Sequence, residues 1–351
     1  MSFSTVLVTG GLGFIGSHTC ISLLQEGFNV LIIDSLLNSS EDNFFRIKKI
    51  IETSHENIKT QIIFKKGDLR DRNMIDKIFQ EFILKKQPIK SVIHLAGLKS
   101  VEDSLNNPLE YFDVNINTTK NLLEIMRKYS CSTLVFSSTA TVYQVTGEKL
   151  IKEENIKRPL HPYGKSKLII ESFLSEVQSN EPNFWKIMIL RYFNPVGAHT
   201  SGFIGDNPKM KASNIFPALM KVVNNEIQKF KIFGNNWPTK DGTCIRDYIH
   251  IMDLADAHLD ALNYLKKNNP QIIHFNIGTG RGISVLELVS TFSKVNSLNI
   301  KYEFEPRRKG DIPFLVADNS LALNLLNWFP KRNLEDMCID SFKWMKQNKK
   351  F

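Results

Sequence analysis

Two side chains in the stretch HPYGKSKLIIE, Tyr163 and Lys167, have the types and the spacing for proton transfer. The stretch has helical periodicity, so positions i and i+4 share a face and the two groups stand side by side. A phenol with its ordinary pKa of about 10 is a poor base near neutral pH. Making it one takes about 4 kcal/mol of selective stabilisation of the phenolate. A lysine ammonium one turn away and the cationic ring of an oxidised cofactor both favour that charged form. Upstream, FSSTATVY closes an apolar run and sets the hydroxyls of Ser137, Ser138 and Thr139 at the carboxyl end of a strand, the edge at which open α/β sheets bind ligands. A Tyr-x-x-x-Lys string is common, so these residues carry weight only if the chain also holds a partner for the chemistry.

The site for such a partner stands at the N-terminus, in TVLVTGGLGFIGSHT. A strand runs into glycines and then into a helix, whose first turn presents free backbone N–H groups and the positive end of its dipole to a pyrophosphate. Gly10 permits the tight turn, Gly13 lets a ligand touch the backbone, and Gly16 lets the helix lie close to the sheet. Both G-x-G-x-x-G and G-x-x-G-x-x-G spacings are satisfied, because Gly11 is present as well. Asp34 ends the second apolar run, where a carboxylate accepts from both ribose hydroxyls and repels a 2′-phosphate, which favours NAD over NADP. In GDLRD, Asp68 and Leu69 are placed to line an adenine pocket, or Asp68 simply caps the following helix. In HLAGLKS, Gly97 allows close approach and Lys99 is within reach of a phosphate.

The elements that must position these groups follow from the hydrophobic pattern. Residues 5–9, 29–34, 61–66, 91–96, 133–138 and 186–191 read as buried strands, with helical segments at 17–26, 72–84, 108–129 and 162–177 between them. Strand and helix alternating in this way imply a parallel sheet covered on both faces. Residues 42–59 read as a polar helix and loop. After Asn194 the pattern loosens into shorter strands (KIFG, DYIHI, IIHFNIG) and helices near 212–227, 253–267, 284–294 and 334–347, a smaller mixed domain. The expected division is 1–193 for dinucleotide binding and 194–351 for substrate, with residues near 245–265 packing back on the first domain.

Bulk properties narrow the class. The 351 residues are 42% apolar, ordinary for a globular chain with a large core. No apolar run reaches the roughly 18 residues of a membrane span, and no signal-peptide pattern precedes the first strand. The four cysteines, Cys20, Cys131, Cys244 and Cys338, lack metal-type spacing and read as buried free thiols in a reducing, cytoplasmic setting. The net charge of +9 comes without a basic cluster interleaved with aromatics, so neither nucleic acid nor a membrane is an expected partner.

The stretches TGGLGFIGSH, AGLKSVEDS, SSTATVY, PYGKSK, LRYFNPVGAH, DGTCIRDYIH and PRRKGDIP resemble the UDP-glucose 4-epimerase family of the extended short-chain dehydrogenase/reductases, nearly end to end. The resemblance implies a Rossmann-like doubly wound α/β sheet with a smaller C-terminal substrate domain, a retained NAD, a UDP-sugar substrate and a homodimer formed through residues 108–129 and 162–177. It implies that Tyr163 takes the proton from the sugar 4-hydroxyl as C4 gives up hydride, that the 4-keto sugar turns over, and that hydride returns to the opposite face. Thr139 would hydrogen-bond the 4-oxygen, and Lys167 would lower the Tyr163 pKa and bind the nicotinamide ribose. Phe14, Ile15, Asn38, Lys99, Asn115 and Phe193, next to Tyr192, are carried over as cofactor residues. Lys99, Asn194, Asn214, Ile215, Lys231, Ile232 and Phe233 are carried over for substrate, with Arg246 and Arg308 on the diphosphate and Asp311 on the uridine ribose.

Two positions depart from the family pattern. Thr139 replaces a frequent serine and keeps the hydroxyl. Leu315 stands where relatives confined to unacetylated sugars have tyrosine, which leaves room for a 2-acetamido group and makes UDP-N-acetylglucosamine a second expected substrate. Other readings are a UDP-uronic acid 4-epimerase, a nucleotide-sugar 4,6-dehydratase and a catalytically silent NAD-binding regulator. The dehydratases place Asp-Glu directly after the hydroxyl residue; Ala140 and Thr141 stand there in this chain.

Overall fold

The computed structural model describes residues 4–54, 60–144, 150–209, 214–308 and 311–348. The first elements are β1 (Thr5–Thr9), α1 (Phe14–Gln25), β2 (Asn29–Asp34), α2 (Asp42–Ser54), β3 (Ile62–Lys66), α3 (Arg72–Leu84), β4 (Ile89–His94), α4 (Val101–Asn106), α5 (Pro108–Lys128), β5 (Thr133–Thr139), α6 (Pro162–Asn180) and β6 (Lys186–Tyr192). Next come β7 (Asn194–Val196), α7 (Ile215–Val223), β8 (Phe230–Phe233), β9 (Ile245–His250), α8 (Ile251–Lys267) and β10 (Gln271–Ile277). The last are β11 (Gly282–Ser284), α9 (Val285–Val295), β12 (Tyr302–Glu305), β13 (Phe314–Leu315), α10 (Ser320–Leu326) and α11 (Leu334–Asn348).

The chain divides into two compact units. One comprises Met1–Gln144, Ile156–Arg191 and Ala255–Phe275; the other comprises Val145–Asn155, Tyr192–Leu254 and Asn276–Phe351. The boundary near 193 expected from the sequence is close to the Arg191/Tyr192 division, and part of the 245–265 stretch expected to pack back, from Ala255 on, falls in the first unit; residues 145–155 fall in the second.

The first unit is built on a seven-stranded parallel sheet in the order β10-β6-β5-β4-β1-β2-β3. β1, β2 and β5 are buried along their whole length, as expected of strands covered on both faces. Among the covering helices, α3 turns Ile75, Ile78, Phe79 and Phe82 inward, and each such burial stabilises by roughly 1.5–3 kcal/mol. These side chains join Leu7, Ile33, Val92, Leu122, Phe136 and Ile189 in one core. Asp71, not Asp68, caps α3, accepting from the Met74 N–H at 3.0 Å. The strand order reverses between β1 and β4, and in such sheets the ligand crevice lies at that switch, beyond the carboxyl ends.

β10 corrects one reading of the pattern. IIHFNIG was placed in the smaller mixed domain, yet it forms the edge of the large sheet beside β6. Strand pairing at this sequence separation leaves no local signature, and neighbours in sequence usually pair, which is what misled the reading.

The second unit holds a small mixed sheet centred on β9, which pairs antiparallel with β11 and parallel with β13 and β7. A separate parallel pair joins β8 to β12. Phe216, Leu219, Leu288, Phe292, Met337 and Cys338 form its core. All four cysteines are buried and free. Among the described residues no helix is long and apolar enough to cross a membrane.

Candidate active site

The glycine loop leaves β1 as a turn that tolerates no side chains. Gly10 has φ +66°, and a Cβ there would lie 2.9 Å from the Ala96 nitrogen; at Gly16 it would lie 2.2 Å from the Gly10 carbonyl oxygen. Gly13 differs, since its Cβ would meet only the Gly10 oxygen, at 3.2 Å. Gly13 is also the N-cap of α1 and makes no side-chain capping bond. The first-turn N–H groups of Phe14 and Ile15 are therefore left for a ligand, the arrangement that suits a pyrophosphate.

Asp34 ends β2, buried, and accepts from Leu12 N at 2.9 Å, Leu36 N at 2.9 Å and the Ser39 hydroxyl at 2.8 Å. Three of about four carboxylate acceptor sites are thus used within the protein. One remains for a ribose hydroxyl, and rotation of Ser39 frees a second. Asn38 lies in the same loop, partly buried. Leu69 is buried, while Asp68 is forked by Arg70, with Nη2 at 2.7 Å. The Asn115 side chain is spent inside the protein: its Oδ1 accepts from Leu98 N at 2.8 Å, and its Nδ2 donates to Leu98 O at 3.1 Å and to Ser166 Oγ at 3.0 Å. It pins the loop carrying Gly97 and the exposed Lys99 against α6. The unsealed helix start, the Asp34 carboxylate and the open Gly13 backbone fit a dinucleotide.

Next to this cradle, Thr139 ends β5 and caps a short 3-10 turn over Ala140–Val142, accepting from Thr141 N at 3.2 Å. Gly164 lets α6 approach that turn: a Cβ there would lie 2.8 Å from the Thr141 carbonyl oxygen. The approach sets the Tyr163 phenol beside Thr139, whose hydroxyl favours the phenolate. Tyr111 meets the Tyr163 ring edge-on, with centroids 6.5 Å apart. Lys167, buried, donates from Nζ to the Ser137 carbonyl at 2.8 Å and lies 4.8 Å from the centre of the Phe136 ring.

The electrostatics differ from the sequence expectation. Burial pushes the Tyr163 phenol up to about 12, and the Thr139 hydroxyl opposes this only in part. Burial pushes the Lys167 ammonium down to about 8, with Glu171 opposing. Desolvation is therefore the largest influence on both groups in the protein alone. His94, between the hydroxyls of Thr9 (2.7 Å) and Thr119 (3.0 Å), is pushed down to about 3 by burial and by Lys167, and so stays neutral.

In the second unit, five of the expected substrate residues come together. Arg246, on β9, donates from Nη1 to the carbonyls of Ile245 (2.9 Å) and Ile312 (2.8 Å), and its Nη2 lies 3.7 Å from Asp311. Arg308 reaches Asp311 at 3.5 Å and stacks 4.1 Å from the centre of the Phe233 ring. Leu315, on β13, is the register partner of Arg246. Ile232 is buried in β8, whereas Lys231 points outward to Glu305 at 2.7 Å. Asn214 precedes Ile215 at the start of α7 and donates to Asp206 at 2.6 Å. Tyr192 and Phe193 are buried, and Phe193 N donates to Ile277 O at 3.2 Å. Asn194 follows, and its buried Oδ1 has no hydrogen-bond partner among the described residues.

This arrangement has close counterparts in solved epimerases. An enzyme from Stenotrophomonas maltophila, described as UDP-glucose 4-epimerase with bound NAD and formylated UDP-arabinopyranose, superposes with a TM-score of 0.92 at 40% identity over 99% of both chains. One from Bifidobacterium longum, in complex with NAD+ and UDP, gives 0.90 at 38% identity, again over 99% of both chains. A bifunctional UDP-glucose and UDP-xylose 4-epimerase of Pisum sativum is 42% identical over 99% of this chain and 97% of its own. The chain belongs to the UDP-glucose 4-epimerase family. A broader family model, described as GDP-mannose 4,6 dehydratase, matches residues 7–341; epimerases and dehydratases share the glycine loop, the tyrosine and the lysine, and Ala140 and Thr141 supply no carboxyl for elimination.

Within this epimerase, sequence reasoning passed over three side chains. Glu171 and Arg191 form a buried ion pair behind Lys167. Asp247, fully buried, accepts from Thr279 N and Oγ1, Gly280 N and Ala317 N, and so ties β9 to the residues after β10 and β13, next to Arg246. The available signal was a charged residue inside an otherwise apolar face or strand: Glu171 continues the Tyr163, Lys167 spacing by four, and Arg191 ends KIMILR.

Proposed function

We propose that the chain interconverts UDP-glucose and UDP-galactose by inverting C4 of the sugar through a 4-keto intermediate, with NAD retained in the protein. The observation that carries the reading is the Tyr163 phenol beside Thr139 at the end of β5, with Lys167, one turn along α6, anchored to the Ser137 carbonyl. When bound, NAD supplies the hydride acceptor and donor and, while oxidised, a positive charge. Tyr163 takes the proton of the 4-hydroxyl and later returns it, and Thr139 holds the 4-oxygen in line with the phenol. A phenol at about 12 needs about 7 kcal/mol of selective stabilisation to ionise at neutral pH, so Lys167 alone does not prepare the base.

The second unit supplies recognition. Arg246 and Arg308 are suited by their planar forks to the diphosphate. Asp311, which lies near both in the free protein, is assigned to the uridine ribose, and the unpartnered Asn194 oxygen to a substrate donor. The test is turnover: purified enzyme is mixed with UDP-galactose, UDP-glucose is looked for, and the nucleotide released on denaturation is identified. No conversion, or conversion without any nicotinamide nucleotide, overturns the reading.

Leu315 extends it to N-acetylated UDP-hexoses. A leucine in register with Arg246 is shorter than the tyrosine of strict relatives and leaves room beside the diphosphate residues. UDP-N-acetylglucosamine is expected to be epimerised, and Leu315→Tyr to lose that activity while keeping UDP-glucose turnover. An enzyme inert toward the acetylated sugar refutes the extension. Homodimerisation is proposed through α5 and α6, where Leu109 is 82% and Ile169 45% exposed; sedimentation of a monomer refutes it.

A further inference from the structure

Helix α6 and the end of β5 meet at three points in succession. Tyr163 lies beside Thr139, and Lys167 holds the Ser137 carbonyl at 2.8 Å. One turn further on, Glu171 accepts the Ser138 hydroxyl at 2.5 Å. The first two contacts belong to the site above. The third lies out of reach of solvent, since Ser138 is 1% and Glu171 3% exposed. The carboxylate is also forked by Arg191 from β6, Nη2 at 2.6 Å and Nε at 3.0 Å, and Arg191 donates from Nη1 to the Tyr143 hydroxyl at 2.7 Å. A buried ion pair is a poor way to stabilise a fold, because desolvation offsets the attraction and apolar side chains of similar volume do as well. Its benefit is direction: hydrogen bonds set the position of a strand end to a fraction of an ångström, and misplacement of a catalytic group by about 1 Å costs roughly 10²-fold in rate.

We propose that Glu171, locked by Arg191, is a positioning residue for the reaction: by gripping Ser138 it fixes where Thr139 presents its hydroxyl to Tyr163, and it keeps an anion one turn from Lys167. The proposal rests on the epimerase reading of Tyr163, Thr139 and Lys167. Other titratable groups around this cluster are accounted for. His94, from β4, is pushed far down and neutral, and Tyr163 is held as the neutral phenol. His274, from β10, stands 3.9 Å from Glu171 and is pushed down to about 4 by burial and by Arg191. Glu171 is the group that supports the Lys167 charge against burial.

The experiment uses NAD-loaded enzyme turning over UDP-galactose, with bound NAD counted in every variant. Ser138→Ala removes the grip and leaves the ion pair. Glu171→Gln keeps an acceptor for Ser138 and removes the charge. Both are expected to lower kcat about 10-fold or more, with KM within about threefold of the parent and NAD retained. Glu171→Gln is also expected to move the alkaline limb of kcat about one unit toward lower pH, because Lys167 then loses its proton more readily; Ser138→Ala leaves the limb in place. A Glu171→Leu/Arg191→Met double variant guards against misfolding: it restores an apolar core and should remain slow. If the double variant recovers the parent kcat, or if Ser138→Ala turns over within about twofold of the parent, the cluster is only structural and the proposal falls. A parent enzyme that leaves UDP-galactose unchanged would instead remove the epimerase reading itself.

Discussion

The two units hold their chemistry in opposite ways. In the first, Tyr163, Lys167 and Glu171 occupy one face of one helix and meet three consecutive residues of one strand, with Lys167 and Glu171 buried. In the second, Arg246 on β9 meets Arg308, Asp311 and Leu315 from a distant later stretch, and the Arg308 side chain is 59% exposed. The arginine–aspartate contacts there are long, 3.5 and 3.7 Å. The first arrangement suits a reaction in which position is everything; the second suits recognition, in which groups shift to meet a ligand. Replacements in the first unit should therefore act on kcat, and those in the second on KM.

The largest effect is expected from Tyr163→Phe, which removes the proton carrier and should lower kcat about 10³-fold while bound NAD is unchanged. A variant retaining a tenth of the parent rate would break the contrast at its centre. Lys167→Met should lower kcat by about 10²-fold and, unusually, stabilise the protein. The folded-state pKa of about 8 lies below the ordinary 10.5, so folding disfavours the charged amine. That penalty is full below pH 8, at most about 3 kcal/mol, and fades as the pH rises toward 10.5. NAD-free Lys167→Met should thus resist urea better than the parent at pH 7, with the gap closing by pH 10.5.

Arg246→Met should raise KM for UDP-galactose about 10- to 100-fold, as expected for losing charge-assisted hydrogen bonds to a diphosphate, with kcat within about threefold. A fall in kcat at constant KM would place Arg246 with the chemistry and erase the distinction. Asp311→Asn should have the smallest effect, a few-fold rise in KM, because a partly exposed ion pair contributes only about 0–1 kcal/mol.

The same contrast explains what could be seen in the sequence. The glycine loop, Asp34 and the Tyr163–Lys167 pair are local patterns, and helix or turn geometry alone places their members together. Arg246, Arg308 and Asp311 carry no such pattern; without the family resemblance each reads as a surface charge, and only the β9–β13 pairing sets Leu315 beside Arg246. Glu171 and Arg191 were visible as opposite charges in apolar surroundings, but pairing a helix residue with a strand residue twenty positions away requires the sheet. For Tyr163, spacing reveals the neighbouring cation and conceals the burial, which is the largest influence on the phenol in the protein alone.

The late arrival of β10 bears on how the chain is made. Its register partner β6 ends at Tyr192, whereas β10 ends at Ile277, so at ribosomal rates roughly 4–17 s separate their synthesis. During that interval β6 is an open edge, with unpaired N–H and C=O groups able to join another chain. A nascent polypeptide of this kind needs chaperone cover most between those two moments, and a truncation just before residue 271 should aggregate more readily than one after 277.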